Sequence, residues 1–194
     1  HHDKSDNKSE NNITNQIENR IDLAFKKDRA NDRKEWLYKY KRDDITDFNS
    51  PNISYNKFID KELIHYSNYD NDRSIPDIRD GFKPSIRKIM YSCFKRNLTN
   101  EIKVAQLAGY VSENASYHHG EKSLEGAIVG LAHNYLGSNN VNLLLPIGQF
   151  GTRLLGGKDA AQSRYIFTQL SNITKIIFNS LDEPLYKYLD DDGT

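Results

Sequence analysis

The feature that most restricts the fold is a series of three amphipathic segments between residues 84 and 135. Pro84 suits the first turn of a helix. Apolar residues then recur at the spacing of one helical face. The three sets are Ile86, Ile89, Met90, Cys93 and Phe94; Val104, Leu107, Ala108 and Val111; and Leu124, Ala127, Ile128, Leu131, Ala132 and Tyr135. They predict three short helices in succession, which is typical of a helix-turn-helix.

The pattern changes after Gly137-Ser138, which form a helix stop signal. A short apolar run, 141–145, ends at Pro146, and the run 165–168 is strand-like. Four glycines lie between the two runs: Gly148, Gly151, Gly156 and Gly157. We therefore predict a mainly α fold with a small β wing: a winged-helix domain with a helix-turn-helix and a Gly-rich β-hairpin. A polar linker helix from Ile17 to about Lys41 is expected to precede it, and a last short helix is expected around 173–177.

Charge and composition exclude several classes of protein. Lys and Arg together number 27, as do Asp and Glu, but residues 73–103 carry eight basic and three acidic side chains. That excess suits a polyanionic partner, although a solvated helix face is an equal alternative. The single cysteine, Cys93, excludes internal disulfides and a Cys-based zinc site. We find no apolar run of about 18 residues and no signal peptide, so we expect a soluble intracellular protein without a membrane partner.

Two local motifs suggest sites that their spacing does not support. A nucleotide-binding phosphate loop requires Gly five residues before the Gly that precedes Lys, and Ser or Thr after the Lys. Thr152 and Asp159 occupy those positions around Lys158. His118 and His119 are adjacent, so on an extended strand they point to opposite faces and cannot easily bind one metal ion. Contact with a phosphate is the better hypothesis for the histidine pair.

Arg164-Tyr165 is the pair of residues best suited to chemistry. A phenol has a pKa near 10, so it attacks poorly at neutral pH unless nearby cations favour the phenolate. The guanidinium of arginine can hold two phosphate oxygens. Tyr165 is nevertheless one of 12 tyrosines. The neighbouring residues alone leave a packed aromatic side chain as the default interpretation of Tyr165.

Several motifs resemble the breakage-reunion region of the eukaryotic type II DNA topoisomerases. They occur in the order Arg73–Asp77, Asp80–Pro84, Arg87-Lys88, Lys103–Ala108, Tyr117–Glu121 and Gly137–Asn140. The most specific are Pro146–Arg153, Gly156–Asp159 and Arg164–Ile166. Upstream, Ala24-Phe25 and Arg33–Leu37 resemble the helix that leaves the family's metal-binding domain. The resemblance covers about residues 23–40 and 54–190.

The resemblance implies a role for each matching residue. Tyr165 would attack a DNA phosphorus and remain bonded to the 5′ end of the cut strand. Arg164 would stabilise the charge of the transition state, and Arg87 and His119 would complete the catalytic set. The implied DNA-binding residues are Arg33, Lys34, Lys83, Lys88, Tyr117, His118, Ser123, Arg153 and Lys158.

The resemblance also implies how the chain is organised. We expect a tag or linker, without order, at 1–22 and a connecting helix and loop at 23–53. The winged-helix cleavage domain would span 54–178, and 179–194 would begin the next region. The Mg²⁺ ligands and the ATP site are expected in domains outside this sequence, so no metal site is predicted within it. The expected setting is a nuclear homodimer acting on double-stranded DNA. The chain alone is expected to bind DNA weakly and to cleave it poorly or not at all.

Two other functions remain open at this level. Most winged helices only bind DNA, so a DNA-binding module without chemistry is the alternative. A dimer-gate surface could coexist with cleavage, because the segments 104–112 and 122–136 carry the small residues Ala108, Gly126, Ala127 and Gly130, which allow close helix approach.

Overall fold

The chain divides into two compact units, His1–Pro76 and Asp77–Thr194. The structure, a computed structural model, describes residues 16–47, 49 and 51–188. The predicted disorder of the N-terminal segment therefore falls largely outside the described residues. No helix in the described part of the chain is both long and apolar enough to cross a membrane.

The first unit consists of helices packed on a small apolar core. Helix α1 covers residues 16–25, α2 covers Ala30–Tyr38, and a continuous helical segment contains α3, Tyr55–Phe58, and α4, Ile64–Ser74, joined by a π-helical turn at Ile59–Leu63. The last segment starts after Ser54, as predicted, and the Ser54 side chain accepts a hydrogen bond from the Lys57 amide. The core residues are Leu23, Trp36, Ile59 and Ile64.

The prediction of one helix from Ile17 to Lys41 was wrong. The chain becomes extended at Lys26, and a 3₁₀ turn at Lys27–Arg29 leads into α2. Arg33 explains the break, because its guanidinium donates to the carbonyls of Leu23, at 3.1 Å, and Lys26, at 2.6 Å. A side chain thus satisfies carbonyls that a continuous helix would have bonded itself.

The second unit contains the three predicted helices. They are α5, Pro84–Lys95; α6, Val104–Asn114; and α7, Glu121–Ala132. Pro84 lies in the first turn of α5, as predicted. The core includes Ile89, Cys93, Val104, Leu107, Val111, Leu124 and Ile128, all fully buried. Burial of these apolar faces holds α6 against α5 and α7.

Helix α7 ends at Ala132, three residues before the predicted end at Tyr135. His133 adopts an extended backbone conformation. The side chain of Asn139 donates to the carbonyls of Gly130, at 2.6 Å, and His133, at 3.0 Å. Asn139 therefore caps the carbonyl end of α7, a distant contact that the apolar spacing does not contain.

The sheet is smaller than predicted and is paired differently. Strand β1, Ile102–Lys103, pairs antiparallel with β2, Phe167–Thr168. The segments 143–147 and 167–171 also run antiparallel, with two isolated bridges, Leu144 with Leu170 and Ile147 with Phe167. Between these bridges and beyond them, the Leu145 amide donates to the Gln169 carbonyl at 2.8 Å and the Ser171 amide donates to the Leu143 carbonyl at 3.0 Å. The Gly-rich stretch forms the long connection between these arms. Helix α8, Asn172–Ile177, and a 3₁₀ turn at Ser180–Leu185 follow.

Candidate active site

Tyr165 lies in a tight turn, residues 163–165, directly before β2. The turn is anchored on the start of α6, where the Val104 amide donates to the Ile166 carbonyl at 3.0 Å and the Ala105 amide donates to the Ser163 carbonyl at 3.2 Å. The first amides of a helix have no partner inside the helix, so the turn satisfies two of them. Ile166 is buried beside the turn. The backbone at Tyr165 is therefore held on two sides.

The side chains of this turn face solvent. Tyr165 is 65% exposed, so its ring is not sealed inside the protein. The Arg164 guanidinium carbon lies 4.9 Å from the centre of the Tyr165 ring. This distance is within the range of a cation–π contact. The arrangement places a phenol and a fixed positive charge where an anionic ligand can reach both.

The Gly-rich connection folds back on itself beside this turn. Gly151 and Gly157 both have positive φ, and a Cβ on Gly151 would lie only 2.5 Å from the Gly157 Cα. The Ala161 amide donates to the Gln149 carbonyl at 2.9 Å. Thr152 donates to the Asp159 carboxylate through its amide and its hydroxyl, both at 2.8 Å, and the amide bond is the main reason that the pKa of Asp159 is lowered.

Arg153 and Lys158, both predicted DNA contacts, are exposed on this connection. Asp159 neighbours Lys158 in sequence, but its carboxylate is engaged by Thr152. The fold of the connection therefore presents basic side chains to solvent while its acidic group faces inward to the loop backbone.

Arg87 is held by two carboxylates. Its Nη2 donates to Asp80 at 2.8 Å and lies 3.6 Å from Asp77. Hydrogen bonds from the Arg79 side chain and then its backbone amide hold the pKa of Asp77 well below the usual range. Both carboxylates lie in the loop before α5, so this loop fixes the position of the Arg87 guanidinium.

Lys83 and Lys88 have different environments. Lys83 is exposed immediately before Pro84. Lys88 is half-buried, and its ammonium donates to the Ser116 carbonyl at 2.8 Å. Ser116 has a positive φ of 44°, which is uncommon for a residue with a side chain. Lys88 thus supports the strained residue that precedes Tyr117.

The histidine pair lies in the loop between α6 and α7. His118 and His119 are both exposed, and the His119 ring lies edge-on to the Tyr117 ring with centroids 5.6 Å apart. The Tyr117 hydroxyl donates to the Ser123 hydroxyl at 3.4 Å. Gly120, with a φ of 85°, turns the chain into α7. Tyr117, His119 and Ser123 are therefore brought together, as two residues of the loop and one from the first turn of the helix.

The predicted residues of the second unit thus form two contacting groups: Arg164 with Tyr165, and Tyr117 with His119 and Ser123. Arg87 makes no hydrogen bond to either group, and its partners are Asp77 and Asp80. Arg33 and Lys34 lie in the first unit. Arg33 is used to hold the break between α1 and α2, and exposed Lys34 donates to Asn31 at 3.3 Å.

Three acidic residues around these groups have contacts that the sequence does not predict. Asp77 and Asp80 are two of the three acids counted in residues 73–103, but that count does not indicate their contact with Arg87. Glu125 is buried and bonds to both Ser163 and Lys122. The spacing of Lys122 and Glu125 indicates an ordinary surface ion pair on a helix, and nothing local predicts a partner 38 residues later.

The described residues do not assemble a metal site. Within the part of the chain that the structure covers, no group of three or more His, Cys, Asp or Glu side chains could hold an ion. A bound magnesium ion therefore does not fit these described residues.

Comparisons with known proteins place the chain in a family. A family model for the A-type subunits of DNA gyrase and topoisomerase IV matches residues 73–194, and one described as C-terminal associated domain of TOPRIM matches 2–71. DNA topoisomerase 2 of Saccharomyces cerevisiae is 58% identical over 89% of this chain, and that of Plasmodium falciparum is 53% identical over the same share. The chain spans 12% of the length of each relative.

A solved structure gives the same result. It is the DNA-binding, cleavage and re-ligation domain of Plasmodium falciparum topoisomerase II, with a TM-score of 0.80 and 52% identity. The match covers 92% of this chain and 24% of that one. The family inferred from the motifs is therefore confirmed, and the chain belongs to the type II DNA topoisomerases.

Proposed function

We propose that this chain is the DNA cleavage and re-ligation segment of an ATP-dependent type II topoisomerase, with Tyr165 as its nucleophile. The observation that carries the proposal is an exposed tyrosine with a guanidinium 4.9 Å from its ring, on a turn hydrogen-bonded to a helix start. Family membership supports it, since the similar solved structure is the DNA-binding, cleavage and re-ligation domain of Plasmodium falciparum topoisomerase II.

The proposed step exchanges one phosphodiester for another. The phenol loses its proton and its oxygen bonds to a DNA phosphorus, while the bond from phosphorus to the 3′ oxygen breaks and that oxygen gains a proton. The 5′ end stays attached to Tyr165, and the reverse step reseals the strand. Because one ester replaces another, the exchange needs no external energy source. Arg164 supplies fixed charge for the phosphorane-like transition state.

The other predicted residues are proposed to bind the DNA. Arg87 and His119 complete the catalytic set. Lys83, Lys88, Tyr117, His118, Ser123, Arg153 and Lys158 contact DNA from this unit, and Arg33 and Lys34 contact it from the first. We propose a winged-helix function for α5–α7 and the arms 143–147 and 167–171, with the Gly-rich connection as the wing tip.

The setting of the whole enzyme is also a proposal. It is a nuclear homodimer that uses Mg²⁺ and ATP to pass one duplex through another, which serves chromosome segregation. We propose that 23–53 connects to the metal-binding domain, that 54–178 is the cleavage domain and that 179–194 begins the next region.

The test is a Tyr165→Phe substitution in the complete enzyme, assayed for covalent protein–DNA complex in the presence of magnesium and duplex DNA. The variant is expected to form no covalent band while it retains DNA binding. Tyr110→Phe is a matched control, because Arg96 lies over the Tyr110 ring at a similar 5.0 Å. A band of undiminished intensity with Tyr165→Phe would remove the nucleophile assignment and favour a DNA-binding module without chemistry.

A further inference from the structure

Glu125 is a buried carboxylate that the proposed chemistry does not use. It lies in α7 and is 8% exposed. One carboxylate oxygen accepts from the Ser163 hydroxyl at 2.5 Å, and the other accepts from the Lys122 ammonium at 2.7 Å. Burying an acid is costly unless its oxygens are bonded. The two hydrogen bonds together stabilise the ionised Glu125 carboxylate in its buried position.

Ser163 is the residue directly before Arg164-Tyr165, and it is held from two directions. Its hydroxyl donates to Glu125, while its carbonyl accepts from the Ala105 amide of α6. Ser163 is itself only 8% exposed. The side-chain bond therefore ties the reactive turn to α7, and the backbone bond ties the same residue to α6.

Helix α7 starts at Glu121, directly after Gly120, and Gly120 follows the histidine pair. The Glu125–Ser163 bond is thus a direct link between the helix that follows His118 and His119 and the turn that carries Tyr165. We propose that Glu125 is a positioning residue, which fixes the Tyr165 turn relative to α7 through the Ser163 hydroxyl. The inference rests on the proposed function of Tyr165 and adds the residue that orients it.

The charge state of Glu125 supports this role. Burial tends to raise the pKa of Glu125, but the hydrogen bonds from Lys122 and Ser163 outweigh it, so the pKa lies below the usual value. Glu125 is therefore ionised at neutral pH, and its bond to Ser163 is charge-assisted, which is the stronger kind. Because both carboxylate oxygens are engaged by Ser163 and Lys122, the action of Glu125 is through geometry.

The test uses the complete enzyme with four substitutions: Glu125→Ala, Glu125→Gln, Ser163→Ala and the double alanine variant. Loss of the link is expected to slow covalent complex formation by about 10- to 100-fold at saturating DNA, because small misplacement of a reacting group costs that much. DNA affinity is expected to change by less than about twofold. Glu125→Gln retains an acceptor for Ser163 and is expected to keep most of the rate.

The double variant separates positioning from general destabilisation. If Glu125 acts through Ser163, the effects of the two alanine substitutions are not additive, and the double variant is about as slow as Glu125→Ala alone. Glu113→Ala removes the same charge from an exposed position on α6 and is expected to leave the rate unchanged. Additive effects, or an equal loss of rate with Glu113→Ala, would overturn the proposal.

A second measurement does not depend on activity. Hydrogen exchange is expected to become faster at the amides of Val104, Ala105 and Tyr165 in Glu125→Ala, since their acceptors belong to the same turn and its neighbours. Unchanged exchange there would contradict the positioning role, even if Tyr165 forms the covalent bond. Absence of a covalent band in the unsubstituted enzyme would instead refute the proposed function.

Discussion

Replacement of Gly151 by alanine is expected to destabilise the second unit more than any comparable substitution in its helices. Gly151 has a φ of +101°, a conformation that residues with a side chain rarely adopt. An added Cβ would lie 2.5 Å from the Gly157 Cα and 2.6 Å from the Gly157 carbonyl oxygen. Both are backbone atoms, and the Gly157 amide is already bonded to the Thr152 carbonyl at 2.9 Å.

The cost of Gly151→Ala has two parts. A residue held in a disfavoured backbone conformation costs about 1–3 kcal/mol. Forcing a methyl group into filled space costs about another 1–3 kcal/mol when the neighbours have to move. Their sum is about 2–6 kcal/mol, and for a chain of this size 1 kcal/mol lowers the melting temperature by roughly 2–4 °C. We therefore expect a decrease of roughly 4–24 °C.

Thermal unfolding followed by circular dichroism measures this change, and Gly126→Ala is the matched control. Gly126 lies in α7 with no heavy atom within 4 Å of an added Cβ and no positive φ. Alanine is the better helix former by about 1 kcal/mol, so this control is expected to be neutral or slightly stabilising. Equal melting temperatures for the two variants would show that Gly151 does not closely approach the Gly157 backbone.

Two further predictions concern ionisable groups. Burial raises the pKa of the Cys93 thiol to about 12, so at pH 8 alkylation by iodoacetamide is expected to be slow in the folded protein and fast after denaturation; rapid native labelling would mean that the core at α5 opens. The lowered pKa of Glu125 means that its contribution to stability is fully present above the ordinary pKa of 4.5 and is lost as the pH falls through the lower folded value. Denaturant unfolding of the unsubstituted chain and of Glu125→Gln is therefore expected to differ at pH 7, and the difference is expected to shrink as the pH falls below 4.5; a difference that grows with acidity would contradict the assignment.

The helices of the second unit were predictable because their information is local. One face of α5, α6 and α7 carries the apolar residues, and Val104, Leu107, Leu124 and Ile128 are all fully buried, as their spacing indicates. The helix ends were less predictable, because distant side chains set them. Arg33 ends α1 by binding carbonyls of Leu23 and Lys26, and Asn139 ends α7 from a loop. Spacing within a segment does not contain such contacts.

The strands depended still more on distant partners. β2 was visible as the strand-like run that begins at Tyr165, but its partner β1 is a two-residue strand before α6, and no local pattern marks it. The residues of the candidate active site also divide into those that the sequence indicates and those that only the structure reveals. Arg164-Tyr165 could be selected through family resemblance, whereas its anchoring by Ala105 and by Ser163 with Glu125 is visible only in three dimensions.

The environment of Arg87 indicates how the proposed site is prepared for DNA. Asp80 and Asp77 hold its guanidinium on the surface, and its side chain remains 40% exposed. Exposed ion pairs contribute only about 0–1 kcal/mol, so a phosphate can replace a carboxylate at small cost. The carboxylates meanwhile restrict a long side chain that would otherwise lose rotamer freedom on binding. We infer that the acidic loop before α5 orients Arg87 for phosphate.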